Sequence, residues 1–182
     1  MKQMQPMTRF GHITMVTGGA RSGKSALAER LVKRHNLPRI YIATAQPGDG
    51  EMAERIAQHQ QSRGAGWTTV EEPVDLVRVL NETDGQGVRL VDCLTLWMSN
   101  CFGDCDVASL CETLRRQTSP VILVTNELGQ GIVPDNQMAR TFRDQHGWMN
   151  QAVAAVADEV WMAVSGLPLR LKPKGDDPDE SL

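Results

Sequence analysis

Aromatic residues are scarce: Phe, Trp and Tyr together make up 4% of the 182 residues. That leaves little material for stacking platforms under nucleic-acid bases. Positive charge is not in excess either. Lys and Arg total 19 against 22 Asp and Glu, a net charge of −3, which argues against nucleic acid or an anionic lipid surface as partner. No stretch approaches the roughly 18 consecutive apolar residues of a transmembrane helix. Residues 1–11 hold two basic side chains, Lys2 and Arg9. No apolar run of about 7–15 residues follows them, so no secretory signal is expected and the expected location is cytoplasmic. The four cysteines, Cys93, Cys101, Cys105 and Cys111, form no C-x-x-C pair and have no histidine beside them. A zinc site is therefore not expected, and they read as reduced, partly packed thiols. No repeat of fixed period and no long linker divides the chain.

What remains is an ordinary globular composition, 41% hydrophobic and 23% charged, with a length suited to one domain. Apolar strands are expected at 13–17, 39–43, 67–70, 88–91, 121–125 and 159–164, the last of them closing the sheet. Helices are expected at 25–35, 51–63, 73–80, 94–102, 107–117 and 136–157, the final one with a possible break at Gly147. Strands that alternate with helices and are apolar on both faces belong to a mostly parallel sheet covered on both sides, an α/β fold. The expected domain spans 1–171, with 1–11 as an extension. The segment 172–182 carries two basic and four acidic residues and reads as a frayed acidic tail.

The sharpest motif is Gly18-Gly19-Ala20-Arg21-Ser22-Gly23-Lys24-Ser25, which fits G-x-x-x-x-G-K-S between an expected strand and an expected helix. Glycines let successive backbone N–H groups converge on one anion. The helix N-terminus adds positive partial charge. Lys24 can reach the β- and γ-phosphates, and the Ser25 hydroxyl can ligate Mg²⁺. A metal-side carboxylate is expected where a neighbouring apolar strand ends. Asp92, after Val88-Arg89-Leu90-Val91, meets that description. Its rival role is N-cap of the following helix.

The expected polar helix at 51–63 spaces Met52, Ile56, His59 and Arg63 by four, three and four, which places them on one face. A neutral imidazole is a competent nucleophile toward phosphorus, and Arg63 could hold phosphate oxygens. By itself this face also suits a histidine that is merely structural. His12, His35 and His146 have no comparable setting. The 94–102 segment carries Leu94, Leu96, Trp97, Met98 and Phe102. That is more apolar surface than one helix face hides, so part of it is expected in a subunit contact.

Several stretches together resemble one enzyme family. They are GGARSGKS at 18–25, Ile42-Ala43-Thr44-Ala45, Glu51-Met52 with Arg55-Ile56 and His59, and VDCLTLW at 91–97. VTNELGQGIVP at 124–134, Ala139-Arg140 with Phe142-Arg143-Asp144, Asn150-Gln151 and ADEVWMAVSG at 157–166 continue the match. The family is the bifunctional adenosylcobinamide kinase and adenosylcobinamide-phosphate guanylyltransferase of cobalamin synthesis, and the resemblance runs over about residues 13–172. It implies a RecA-like P-loop fold and a homotrimer. It also implies phosphorylation of the aminopropanol hydroxyl of adenosylcobinamide by ATP or GTP, then transfer of GMP from GTP to adenosylcobinamide phosphate with release of pyrophosphate. The GMP carrier would be His59. Nucleotide contacts would fall on Gly18 to Ser25, Ala43, Thr44, Ala45, Gln60, Gln61, Ser62, Arg63, Glu71 and Asp92, with Mg²⁺ on Ser25 and Asp92. Glu71 would accept hydrogen bonds from the guanine edge, unless it is a solvated charge beside Glu72. The alternatives are a monofunctional P-loop small-molecule kinase and a RecA-like NTP-driven switch.

Overall fold

The computed structural model describes residues 11–46, 48 and 64–173. The helix expected at 51–63, with His59, Gln60, Gln61, Ser62 and Arg63, lies outside the described residues, as do positions 1–10 and 174–182.

Seven strands form one sheet: β1 (Ile13–Gly18), β2 (Arg39–Ala43), β3 (Trp67–Glu71), β4 (Val88–Asp92), β5 (Val121–Val124), β6 (Glu159–Val164) and β7 (Leu167–Lys172). Their order is β3-β2-β4-β5-β1-β6-β7. Every pairing is parallel except the β6–β7 hairpin. The described helices are α1 (Lys24–Lys33), α2 (Leu76–Glu82), α3 (Leu94–Asn100), α4 (Val107–Arg116) and α5 (Gln137–Val156). Alternation along the strands divides the core in two. Ile13, Met15, Ile40, Ile42, Val91, Val121 and Leu123 pack under α2, α3, α4 and α5. Val16, Tyr41, Val88, Leu90, Ile122 and Val124 face α1 through Leu27, Ala28, Leu31 and Val32. Side chains buried on both faces of each central strand explain why these strands read as continuous apolar runs.

Three helices start on side-chain caps: Asp75 accepts from the Arg78 N–H, Asp106 from that of Ser109, and Asn136 from that of Ala139. Such caps satisfy first-turn N–H groups that have no partner within the helix.

Three expectations need correction. β6 is not the last strand, because β7 turns back against it. Leu167, Leu169 and Leu171 alternate with Pro168, Arg170 and Lys172, and proline is tolerated on the edge strand that β7 forms. α5 runs unbroken through Gly147. Burial of His146, Met149, Asn150 and Val153 around it offsets the ~1 kcal/mol helix penalty of one glycine. The cysteines are not all thiols: Cys101 and Cys105 form a disulfide with Cα atoms 5.2 Å apart, while Cys93 and Cys111 are free and buried. Cys101 ends α3, and the turn after it brings Cys105 back within bonding reach. Most of the apolar surface of α3 is covered within the chain, whereas Phe102, in the turn after it, stays 37% exposed. Leu94, Trp97 and Met98 are buried in one cluster and Leu96 packs on the other. Phe102 meets Phe142 edge-on at 5.3 Å.

One cation is entirely enclosed. Arg89 on β4 has 0% exposure, and its guanidinium donates to Asp84 (2.8 Å), to the Thr83 carbonyl (3.3 Å) and to the Ser119 carbonyl (3.1 Å). Asp84 also accepts from the Thr118 and Ser119 N–H groups. Burial pushes its carboxyl upward, but these donors and Arg89 outweigh it and hold it at about 2. Asp84→Ala should cost about 3–5 kcal/mol, because it leaves a buried charge unpaired, and urea unfolding checks this. Because the folded value lies below the ordinary 3.8, the contribution of Asp84 is complete above about pH 4 and declines as pH falls toward 2. The acid limb of a thermal-melting profile should therefore flatten in Asp84→Asn.

Candidate functional site: a phosphate cradle at the carboxyl edge of the sheet

The chain leaves β1 at Gly18 and curls through Arg21 (φ 55°) and Gly23 (φ 91°) into α1. A side chain at Gly18 would meet the Ala163 carbonyl and the Ser22 hydroxyl, each at 2.6 Å. Only glycine fits a turn this tight. α1 has no side-chain cap and no acidic residue in its first turn, so its leading N–H groups are available to an anion. The Ser22 hydroxyl is buried without a hydrogen-bond partner. Lys24 folds back, its Nζ donating to the Gly19 carbonyl at 3.1 Å. Burial lowers the Lys24 ammonium from its usual range, against the opposing pull of Cys93 and Asp92. An anion in the loop would give this ammonium a stronger partner than a carbonyl.

Pairing registers line up the other expected residues. Glu71 pairs with Ala43, Ala43 with Asp92, Asp92 with Val124, and Val124 with Val16. Glu71, Ala43 and Asp92 thus form a row along the carboxyl edge that leads toward the cradle. Asp92 is not an N-cap, since Cys93 occupies that position of α3 without a side-chain bond. Instead, Asp92 Oδ2 accepts from the Tyr41 hydroxyl at 2.6 Å. Glu71 is exposed. Its neighbour Glu72 is buried and accepts from the Val74 and Asp75 N–H groups and from Arg78. Of the two carboxylates, Glu71 is therefore the one available to a ligand.

Thr44 is held differently. Its hydroxyl donates to the Cys93 carbonyl (2.8 Å) and accepts from the Cys93 N–H (2.7 Å), while Asn100 donates to its carbonyl (2.8 Å). These bonds tie the chain after β2 to the end of β4. Half-buried Ala43 and Ala45 flank this tie. The Cys93 thiol is pushed up to about 11, first by burial and then by Asp92, so it is no nucleophile near neutral pH.

Behind the edge lies a polar cluster that sequence reasoning missed. His146 on α5 is 1% exposed. The Asn126 N–H donates to Thr95 Oγ1 at 2.9 Å, and Thr95 Oγ1 lies 2.9 Å from His146 Nε2. The Thr125 hydroxyl donates to Asn150 Oδ1 (2.8 Å), and Asn150 Nδ2 donates to the Asn126 carbonyl (3.0 Å). Both backbone polar groups of Asn126 are thereby fixed, and the next residue, Glu127, donates its N–H to the Gly18 carbonyl at 3.1 Å. Burial lowers the His146 imidazole from its ordinary value, with Glu127 pulling the other way. The signal available in the sequence was the placement of His146 and Asn150 on the buried face of α5, opposite two threonines at element ends.

Comparison with known proteins identifies the family. Residues 14–171 match the family described as cobinamide kinase / cobinamide phosphate guanyltransferase. A bifunctional adenosylcobalamin biosynthesis protein CobP from Pseudomonas aeruginosa is 45% identical over 166 residues, covering 87% of this chain and 96% of that protein. The bifunctional CobU proteins of Escherichia coli and Salmonella typhimurium are each 39% identical, again over 87% of this chain and 98% of theirs. In fold, the chain is similar to an ATPase of a bacterial type III secretion system, with TM-score 0.53 and 15% identity. That match covers 88% of this chain and 57% of the ATPase. A protein of Pyrococcus horikoshii aligns with TM-score 0.54 and 11% identity over 92% of this chain and 89% of its own. The fold is that of RecA-like P-loop NTPases, and the chain belongs to the cobinamide kinase / cobinamide phosphate guanyltransferase family of adenosylcobalamin biosynthesis.

Proposed function

We propose that the protein phosphorylates adenosylcobinamide with ATP or GTP. It then transfers GMP from GTP to adenosylcobinamide phosphate through a guanylyl group carried on His59, and pyrophosphate is released. The reading rests on one observation above all: a phosphate cradle, residues 18–25, at the head of a row that ends in Asp92, Ala43 and Glu71, in a chain of this family.

The chemistry follows from charge. A nucleoside triphosphate brings about four negative charges, and Lys24, the loop amides, Arg21 and Arg63 offset them. The donors at the edge also suit Mg²⁺. Ser25 and Asp92 offer a hydroxyl and a carboxylate, the hard oxygen ligands this ion takes. Among the described residues no three His, Cys, Asp or Glu side chains form a group able to hold a metal alone. When bound, it would neutralise phosphate charge. In the guanylyl half, the His59 imidazole attacks the α-phosphorus and pyrophosphate departs into the cradle. The cobinamide phosphate then displaces the imidazole. Carrying GMP on histidine turns one encounter of two anions into two easier steps. Gln60, Gln61, Ser62 and Arg63 would hold the nucleotide beside His59, the backbone at 43–45 would line it, and Glu71 would accept from the guanine edge.

We read the working form as a cytoplasmic homotrimer. Support comes from exposed apolar residues on the sheet edge: Leu167, Leu169 and Leu171 on β7 are 72%, 54% and 43% exposed. Light scattering at micromolar concentration should give about three times the mass of one chain, and replacing the three leucines with Ser should lower that mass.

Two substitutions separate the roles. Lys24→Ala should remove both activities, lowering each at least about 100-fold, while the melting temperature stays near that of the wild type. His59→Asn should abolish guanylyl transfer and spare phosphorylation of adenosylcobinamide. Intact mass after incubation with GTP and Mg²⁺ should show one GMP adduct, stable in base and labile in acid, on the peptide that contains His59. An adduct on another residue, or turnover without any adduct, would refute the histidine carrier.

A further inference from the structure

The two half-reactions make different demands. The first nucleophile is an alcohol, which must lose a proton as it attacks. The second acceptor is a phosphate monoester, already anionic near neutral pH. A proton acceptor is therefore needed in one half only.

Val124, the last residue of β5, pairs with Val16 on one side and Asp92 on the other. The chain leaving β5 emerges between the phosphate cradle and the metal-side carboxylate. Thr125 continues the ladder by donating its N–H to the Val16 carbonyl at 3.0 Å. Two residues later Glu127 bonds to Gly18 through its backbone. Its side chain is half-buried, and Oε1 accepts from the Gly129 N–H at 3.1 Å. Among the described residues, the other carboxylate oxygen has no protein donor. The segment is held from beneath. The Thr95 hydroxyl accepts from the Asn126 N–H and lies in hydrogen-bond contact with His146 Nε2 at 2.9 Å, while Asn150 grips the Asn126 carbonyl. A hydrogen-bonded cluster this enclosed fixes geometry.

We propose that Glu127 is the proton acceptor of the kinase half-reaction, held beside the phosphate cradle by the buried His146–Thr95–Thr125–Asn150 cluster. This rests on the functional reading above. The substrate hydroxyl oxygen forms a bond to the γ-phosphorus of the triphosphate. The bond from that phosphorus to the β–γ bridging oxygen breaks, and its electron pair leaves on the nucleoside diphosphate. The hydroxyl proton passes to the free oxygen of Glu127 and from there to solvent.

The test is a split of the two activities in Glu127→Gln, measured on the full chain with adenosylcobinamide and ATP, and separately with adenosylcobinamide phosphate and GTP. The kinase kcat should fall about 100-fold or more, with the KM for ATP changed less than about threefold. Guanylyl transfer by the same preparation should stay within about threefold of wild type, which also certifies the fold. Glu127→Asp, which keeps a carboxylate, should recover part of the lost kinase rate. Equal losses in both activities, a kinase rate that survives in Glu127→Gln, or an Asp variant no better than Gln would each overturn the assignment. Wild-type protein that transfers GMP but phosphorylates nothing would overturn the kinase reading and this inference together. A wild type active in both halves beside a Glu127→Gln that keeps its kinase rate would overturn this inference alone.

Discussion

Parallel pairing around β1 is the constraint on which the remaining chemistry depends. Parallel strands deliver their carboxyl ends to one edge, and the connections that cross between them must leave from that edge. β1 supplies the phosphate loop, β4 supplies Asp92, β5 supplies the segment bearing Glu127, and β2 and β3 supply Ala43 and Glu71. None of these residues is near the others in sequence. Register alone makes them neighbours, and a slip of one residue in any pair would turn each side chain to the opposite face. The two apolar clusters guard against that slip, because every central strand is buried on both sides.

The edge is also braced by bonds that bind no ligand. The Thr44 hydroxyl joins the end of β2 to the start of α3, and Asn100 reaches back from the far end of that helix to the Thr44 and Pro73 carbonyls. On the other side of the cradle, Asn126 is fixed at both its N–H and its carbonyl. Loops that carry function are placed this way when a rigid scaffold must hold them to within a fraction of an ångström. At the opposite edge, the buried Arg89–Asp84 pair ties β4 to the turns after α2 and before β5.

Much of this was legible from residue order. Six of the seven strands, the alternation of strand and helix, the phosphate loop and Asp92 follow from apolar runs, a glycine-rich turn and a carboxylate at a strand end. β7 was hidden because its alternation is short and holds a proline, a residue that weighs against strand unless the strand lies on an edge. The bond between Cys101 and Cys105 depends on a turn whose closeness no spacing rule supplies. His146 is not legible as a site residue in the sequence, because one histidine on a helix gains meaning only from what faces it. Here it faces Thr95 from α3 and Thr125 from the end of β5, brought together by packing across more than twenty residues of chain. Glu127 lay within a stretch that resembled the family, yet its proximity to Gly18 comes from the sheet and not from the motif.

The β6–β7 turn touches the cradle directly. The Gly166 N–H donates to the Ser22 carbonyl at 2.9 Å, and a methyl group on Gly23 would stand only 3.2 Å from the Gly166 Cα. The phosphate loop therefore has a back wall made from the hairpin whose outer strand ends the sheet. The peptide that cups an anion and the edge that displays Leu167, Leu169 and Leu171 are two ends of one short lever. A side chain at Gly23 would push the loop and the turn apart. The edge strand and the anion-binding loop thus share one turn as a common wall.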